Sequence, residues 1–427
     1  MSSKAATKMA ENQVEQSRPL PKLRFSEFIE ADGWDEFKGC DVFEQISNKQ
    51  HNADLPVLAI TQEHGAIPRE LIDYHVSVAE KSLEGYKVVE DGDFIISLRS
   101  FQGGIEYSKY RGICSPAYVI LRAKRKETVP YFRHFFKTDR FIKQLNINLE
   151  GIRDGKMVSY SQFSELLLPT PPPAEQQKIA ECLSSIDELI AAEGRKLDAL
   201  KTHKKGLMQQ LFPAEGETIP RLRIPEFRDA SEWQTSTIGQ TFETDSGGTP
   251  TRSENDYWNG DIPWITTSLV HFNHICVADE CISQEGLRNS SAKVFPKDTV
   301  LIAMYGQGKT RGQVAMLDIE AATNQACSAI LPREGIDPEF VSLNLVGRYE
   351  ELRGLSNPGG QENLSQTLIK KLPFSFPSDT AEQQRITDCL AQLDQAINKQ
   401  ILKNNTLISL KKGLMQQLFP SLDEVSS

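Results

Sequence analysis

The sequence is short of paired cysteines, of membrane-length apolar runs and of net positive charge, and each shortage excludes something. Among 427 residues the seven cysteines (Cys40, Cys114, Cys182, Cys276, Cys281, Cys327 and Cys389) are scattered and odd in number. They imply buried thiols and no disulfide framework. The nearest approach to a metal motif, His271, His274, Cys276 and Cys281, matches no standard zinc spacing. No apolar run approaches the roughly 18 residues of a membrane span. The opening MSSKAATKMAENQVEQSRPLP is polar and lacks an apolar signal core, which reads as a loose tail on a cytoplasmic protein. A net charge of −10 removes any global attraction to nucleic acid. Locally, Arg122, Lys124, Arg125, Lys126, Arg133, Lys137, Arg140 and Lys143 cluster against only Glu127 and Asp139. That run is either a solvated helix face or a phosphate-facing surface.

Catalytic motifs are missing as well. Tyr305–Thr310 (YGQGKT) ends like a phosphate loop, but Ala303 stands where that loop needs its first glycine. Asn357-Pro358-Gly359 fails the Asn-Pro-Pro-aromatic pattern of adenine methyltransferases. There is no His-Glu-x-x-His helix and no nucleophile elbow. The chain reads as a binder.

What is present is repetition. KKGLMQQLFP occurs at Lys204–Pro213 and again, letter for letter, at Lys411–Pro420. Residues 174–213 and 381–420 align without a gap at 21 of 40 identical positions, which marks an internal duplication. Pro21–Trp34 (PKLRFSEFIEADGW) likewise pairs with Pro220–Trp233 (PRLRIPEFRDASEW). The plan is head, arm, head, arm. It divides into a tail (1–19), a first head (20–172), a first arm (173–213), a second head (214–379), a second arm (380–420) and a tail (421–427).

Each arm reads as a long helix with a coiled-coil seam. Ile179, Leu183, Ile186, Ile190, Leu197, Leu200, Leu207 and Leu211 step by threes and fours in the first; Ile386, Leu390, Leu393, Ile397, Leu407, Leu414 and Leu418 do so in the second. Thr380 and Gln383 suggest a capping box, and Pro213 and Pro420 stop both helices. About 38 residues at 1.5 Å rise give roughly 57 Å per arm, and antiparallel packing of the two arms is the simplest cover for their stripes. Gly206 and Gly413 within the helices suggest either close approach of another backbone or tolerated surface positions. The heads carry short strand patterns, LPVLAIT, DFIISLR and AYVILR in the first and DIPWITTSLV, DTVLIAMYG, GQVAMLD and CSAILP in the second. An amphipathic helix follows in each, from Val129 and from Asp337, so the heads read as irregular α/β domains.

The AEQQ-to-QQLFP arms, PVLAITQEHGAI in the first head, and GGTP, IPWITT, YGQGKTRG and TNQACSAI in the second make the chain resemble the DNA-specificity subunit of type I restriction–modification systems. The resemblance covers about Pro21 to Pro420. It implies two target-recognition domains separated by two long helices in an antiparallel coiled coil, related by a pseudo-two-fold repeat. Each domain would read half of a split, asymmetric site in double-stranded DNA. Two methyltransferase subunits would dock on this core and restriction subunits would join them. The chain itself would bind no cofactor, with S-adenosylmethionine, ATP and Mg on the partner subunits. Base-reading loops are expected where Arg, Lys, Gln and Thr sit beside flexible glycines. These are Arg99, Ser100, Phe101, Gln102 and Gly103 in the first head and Gln307, Gly308, Lys309, Thr310 and Arg311 in the second, with Thr61–His64 and Thr266, Thr267 and Ser268 as further candidates. The competing reading is a coiled-coil scaffold that holds two protein ligands and never touches DNA.

Overall fold

The computed structural model describes residues 18–51, 54–72, 80–147, 158–306, 309–355 and 363–421. The chain divides into two compact units that cut across the head-and-arm segments. One comprises residues up to 193 together with those from 403 onward; the other comprises residues 194–402. Each arm helix, Pro173–Leu211 and Thr380–Leu418, therefore gives its first half to one unit and its second half to the other.

In the first unit, strands Phe43–Ile46, Val119–Ala123, Phe94–Ile96 and Glu106–Tyr107 form an antiparallel sheet in that order. In the second, Thr244–Ser246, Cys327–Ile330 and Val300–Ala303 repeat the first three places, and Val314–Leu317 and Asn273–Ile275 extend the sheet. A second sheet there orders Glu280–Ile282, Trp258–Ile265, Ala321–Thr323 and Val294–Phe295. The strand patterns read from the sequence all fall on strands. A two-stranded ribbon closes each head beside its arm: Asp35–Lys38 with Leu167–Thr170, and Gln234–Thr237 with Pro373–Phe376.

Three local expectations need correction. The amphipathic helix after each sheet is broken in two, as Val129–Phe135 and Asp139–Ile147 and as Pro338–Gly347 and Tyr349–Gly354. In the first head the break falls at Thr138, whose hydroxyl donates to the Phe135 carbonyl and accepts the Phe141 N–H, ending one helix and capping the next. The second arm has no Thr380–Gln383 capping box. Asp379 caps it instead, accepting the Ala381 N–H at 2.9 Å, while Gln383 is buried and accepts the Asp337 N–H. The thiols are not uniformly buried: only Cys114 and Cys327 are, and Cys276 is exposed.

The arms join the heads through a duplicated ion pair. Arg24 forks onto Glu175 at 2.7 and 2.8 Å and donates to the Ala31 and Asp32 carbonyls. In the other unit Arg223 forks onto Glu382 at 2.9 and 2.8 Å and donates to the Ala230 and Ser231 carbonyls. Both arginine side chains are 7% exposed and both glutamates 1%. The next residue of each repeat is equally committed, since Gln176 donates to the Pro171 carbonyl and Gln383 to that of Pro377. The repetition of the Glu-Gln pair at the start of each arm thus follows from its burial, while the flanking Ala and second Gln are exposed in both copies.

A buried charge stripped of its partner is expensive. Glu382→Ala should cost about 3–5 kcal/mol of second-unit stability, whereas replacing Arg223 as well should recover part of that loss. Denaturant titration of the two single variants and the double variant checks this, and additive losses would show the pair to be uncoupled.

Candidate nucleic-acid interface

In the second head, the sequence blocks that carry the resemblance converge at one end of the sheets. Trp258–Ile265 runs parallel to Ala321–Thr323, so the segments after both strands emerge together. The Gly248 N–H donates to the Thr323 carbonyl and the Asn324 N–H to that of Ile265. A Cβ on Gly247 would lie 1.8 Å from the Thr323 carbonyl oxygen, so glycine is required for GGTP to lie against TNQA. Thr249 Oγ1 donates to Gln325 Oε1 at 2.6 Å. The Met304 N–H donates to the Ala326 carbonyl, which brings the start of the YGQGKT segment to the same end. Thr266 and Thr267 are half-buried there, and the Thr266 and Ser268 hydroxyls hydrogen-bond each other.

Of the second-head candidates, Gln307 and Gly308 lie outside the described residues. Lys309 is exposed and Thr310 half-buried. Arg311 is turned back, donating to the Arg353 carbonyl at 2.8 Å, and so braces the loop. In the first head Arg99 and Gln102 are exposed, but the other candidates are structural. The buried Ser100 hydroxyl accepts the Ser97 N–H at 2.9 Å, and Phe101 packs on the head's core. A Cβ on Gly103 would meet the Gln62 side chain, which itself donates to the Arg99 carbonyl at 3.4 Å. The Thr61–His64 turn, exposed from Gln62 onward, and the Arg99–Gly103 loop therefore adjoin.

The basic run is not one helix face, and four of its eight members are held by acceptors within the head. Arg122 lies in a strand and forks onto Asp93 at 2.7 and 2.8 Å; Lys124 donates to the Cys40 carbonyl; Lys137 pairs with Glu106 and Arg140 with Glu36. The histidines and cysteines of the second head do not assemble either. His274 contacts Asp318 and Glu339, Cys276 contacts Asp318, and Cys281 lies in the other sheet. Among the described residues no group of three or more such side chains is placed to hold a metal ion.

The arms hold the repeated letters by repeated contacts. Lys204 Nζ meets both Asp394 oxygens at 2.6 and 2.7 Å in one unit, and Lys411 Nζ meets Asp187 at 2.6 Å in the other. These residues correspond across the duplication. With Lys403–Glu193 they make the helix halves antiparallel within each unit. Ile179, Leu183, Leu211, Ile386, Leu390, Ile397 and Leu418 are buried, while Ile186, Ile190, Leu197, Leu200, Leu207, Leu393, Leu407 and Leu414 are half-buried. The ends of the seam do more than pack on each other. Ile179, Leu183, Leu418 and Phe419 belong to the core of the first head, and Met208, Leu211, Phe212, Ile386 and Leu390 to that of the second.

Close backbone approach does not account for Gly206 and Gly413, because a Cβ at either would meet nothing within 4 Å. Beside them Lys205, Gln209 and Gln210, and equally Lys412, Gln416 and Gln417, are exposed. The decapeptide also walls a cleft in each unit. One, of about 470 Å³, includes Met415, Gln416, Phe419 and Arg140; the other, of about 380 Å³, includes Met208, Gln209, Phe212 and Arg348.

These features define a duplicated chain: two α/β heads with loop-built ends, on arms whose unchanged letters face both inward and outward. The chain matches the family described as "Type I restriction modification DNA specificity domain" twice, over residues 31–202 and 230–405, and it belongs to that family. It is similar to the type I restriction enzyme MjaIX specificity subunit of Methanocaldococcus jannaschii (27% identity over 44% of each chain). It is also similar to the EcoR124I/EcoR124II specificity subunit of Escherichia coli (25% identity over 57% of this chain and 60% of that one). The alignments thus span about half the length of these curated relatives. Among solved structures, a chain from a study of complex assembly and conformational transition in a type I system shares the fold at TM-score 0.57, with 17% identity over 91% of this chain and 98% of that one. The type I S subunit of M. genitalium does so at TM-score 0.52, with 16% identity over 94% and 99%. No helix among the described residues is long and apolar enough to cross a membrane.

In the first unit the head–arm joint contains a buried titratable group. His134 Nε2 lies 3.2 Å from Ser184 Oγ, and Nδ1 lies 4.0 Å from Asp187. Burial first, then Lys411, pushes its pKa down to about 4; Asp187 opposes this and Arg133 adds to it. The unfolded chain takes up this proton near pH 6.5, before the folded chain does. The joint's contribution is therefore present above pH 6.5 and is lost as pH falls toward 4. The thermal midpoint of the first unit should drop across that window, and His134→Gln should flatten the drop.

Proposed function

We propose that each head reads one half of a bipartite, asymmetric site in double-stranded DNA, and that the arms dock two methyltransferase subunits, through which restriction subunits join. The observation that carries this reading is the contrast between the halves of a duplicated molecule. Within a family of DNA-specificity subunits, the two heads keep a common central strand order but differ in their candidate loops, while the last turns of the arms keep even their exposed letters. Divergent loops suit two different half-sites. An unchanged exposed lysine and Gln-Gln pair in each arm, beside equivalent clefts, suit two copies of one partner.

On this reading the chain selects DNA, and catalysis belongs to its partners: adenine methylation with S-adenosylmethionine on the modification subunits, and ATP- and Mg-dependent work on the restriction subunits. The exposed Arg99, Gln102 and Lys309 and the half-buried Thr310 and Thr266 supply groove-facing hydrogen-bonding groups, while Ser100, Phe101, Gly103 and Arg311 shape the loops. Thr267, half-buried beside Thr266, is a further candidate in the second head. Two arm helices of 39 residues, about 58 Å each at 1.5 Å rise, set the distance between half-sites.

A four-residue insertion in the middle of one arm should lengthen the unspecified spacer of the methylated motif and leave both half-site sequences intact, as read by mapping methylated adenines in cells carrying the partner genes. An unaltered spacer would refute the ruler. With methyltransferase present, binding to duplex DNA should weaken steeply with salt; no salt-dependent binding at all would favour the protein scaffold. Lys205→Glu with Lys412→Glu should abolish recruitment of the methyltransferase subunits without lowering the thermal midpoint of the chain.

A further inference from the structure

We propose that Arg252 is a specificity-determining residue through which the second head recognises a guanine in its half-site. This deepens, and rests on, the reading that the head binds DNA. Arg252 lies three residues past Thr249 at the end of the head where the loops converge, and its side chain is 52% exposed. Its guanidinium carbon stands 3.8 Å from the centroid of the Trp258 ring and 4.9 Å from that of Trp264. Those indoles meet edge to face at 5.1 Å and 87°. Each is pinned by its N–H, Trp258 donating to the Thr251 carbonyl and Trp264 to that of Gly248. From the neighbouring strand Glu280 accepts Nη1–H and Nη2–H at 2.6 and 2.9 Å.

The guanidinium is therefore fixed in plane and rotation before any ligand arrives. Glu280 occupies the edge formed by the two terminal nitrogens. The adjacent edge, Nε–H with the second hydrogen of a terminal nitrogen, has no acceptor among the described residues. Two parallel donors match the N7 and O6 acceptors of guanine in the major groove. An arginine already immobilised by stacking and an ion pair loses less entropy on making that contact. Glu280 also cancels most of the charge, which weakens a purely electrostatic attraction to phosphate while leaving the two-donor edge intact. The arrangement is suited to choosing a base more than to gripping a backbone. The first head has no counterpart to the Trp-Arg-Trp cluster among its described residues, in keeping with a different half-site.

The test uses the full chain reconstituted with its methyltransferase subunits, with methylated adenines mapped across a genome. Arg252→Lys keeps the charge and removes the paired edge. It should relax one guanine-bearing position of one half-site, lowering discrimination there roughly 10- to 100-fold, with the other half-site and the thermal midpoint unchanged. Glu280→Gln, which loosens the guanidinium but keeps the edge, should relax the same position less. An unchanged motif with Arg252→Lys overturns the assignment. So does a uniform loss of affinity across all sequences with a smaller salt slope, which marks a phosphate contact, or a lowered midpoint with both half-sites degraded, which marks a structural clamp. A wild-type complex without any sequence-specific methylation would instead overturn the DNA reading and this assignment together.

Discussion

Everything in this molecule leans on the arginine–glutamate pair buried where head meets arm. Arg24 and Glu175, and Arg223 and Glu382, sit almost out of water with their donors and acceptors matched to each other and to two backbone carbonyls. Removing ions from water is costly, and such a pair persists only where the geometry is complete. Completing it fixes the leader segment, the first turn of the arm helix and the turn before the first ribbon strand at once. The pair thereby ties each head to the start of its arm helix.

The same economy runs along the arms. The apolar ends of the seam enter the head cores: Leu418 and Phe419 pack with Tyr131 and Phe135, and Leu211 and Phe212 with Trp233 and Phe340. The leader then closes each helix end by a backbone bond, from the Leu23 N–H to the Gln417 carbonyl and from the Leu222 N–H to that of Gln210, each at 2.9 Å. The duplication is thus respected even though one leader follows its helix directly and the other begins the described chain.

Much of this was legible beforehand because it is periodic or repeated. The three-and-four spacing of Ile and Leu in the arms, the ten unchanged letters and the alternating strand patterns each report a local rule that holds wherever the segment sits. The broken helix at Thr138 was less legible, since FFKTDRF carries a continuous apolar stripe and the break depends on a hydroxyl finding a carbonyl. The Asp379 cap escaped for the same reason, since several partners were available in the sequence and only one is near in space, whereas Gly206 and Gly413 follow the second of the two readings their sequence offered. The Arg99–Gly103 loop shows the limit most plainly. Its residue types suit DNA, yet Ser100 and Phe101 are spent on the fold, while Arg252, in an unremarked stretch, gains its fixed plane from Trp258, Trp264 and Glu280.

By itself the sequence determined that the chain is two diverged halves whose helices end in the same ten letters, and that its own motifs supply no catalytic set. Periodicity and repetition need no knowledge of distant neighbours. Only the tertiary structure decided which charges are neutralised, which glycines face open space and which side chains at the loop ends remain free to meet a ligand. Those outcomes depend on pairs far apart in the chain, Arg24 with Glu175, Lys204 with Asp394, Arg252 with Glu280, and on the desolvation that their meeting imposes.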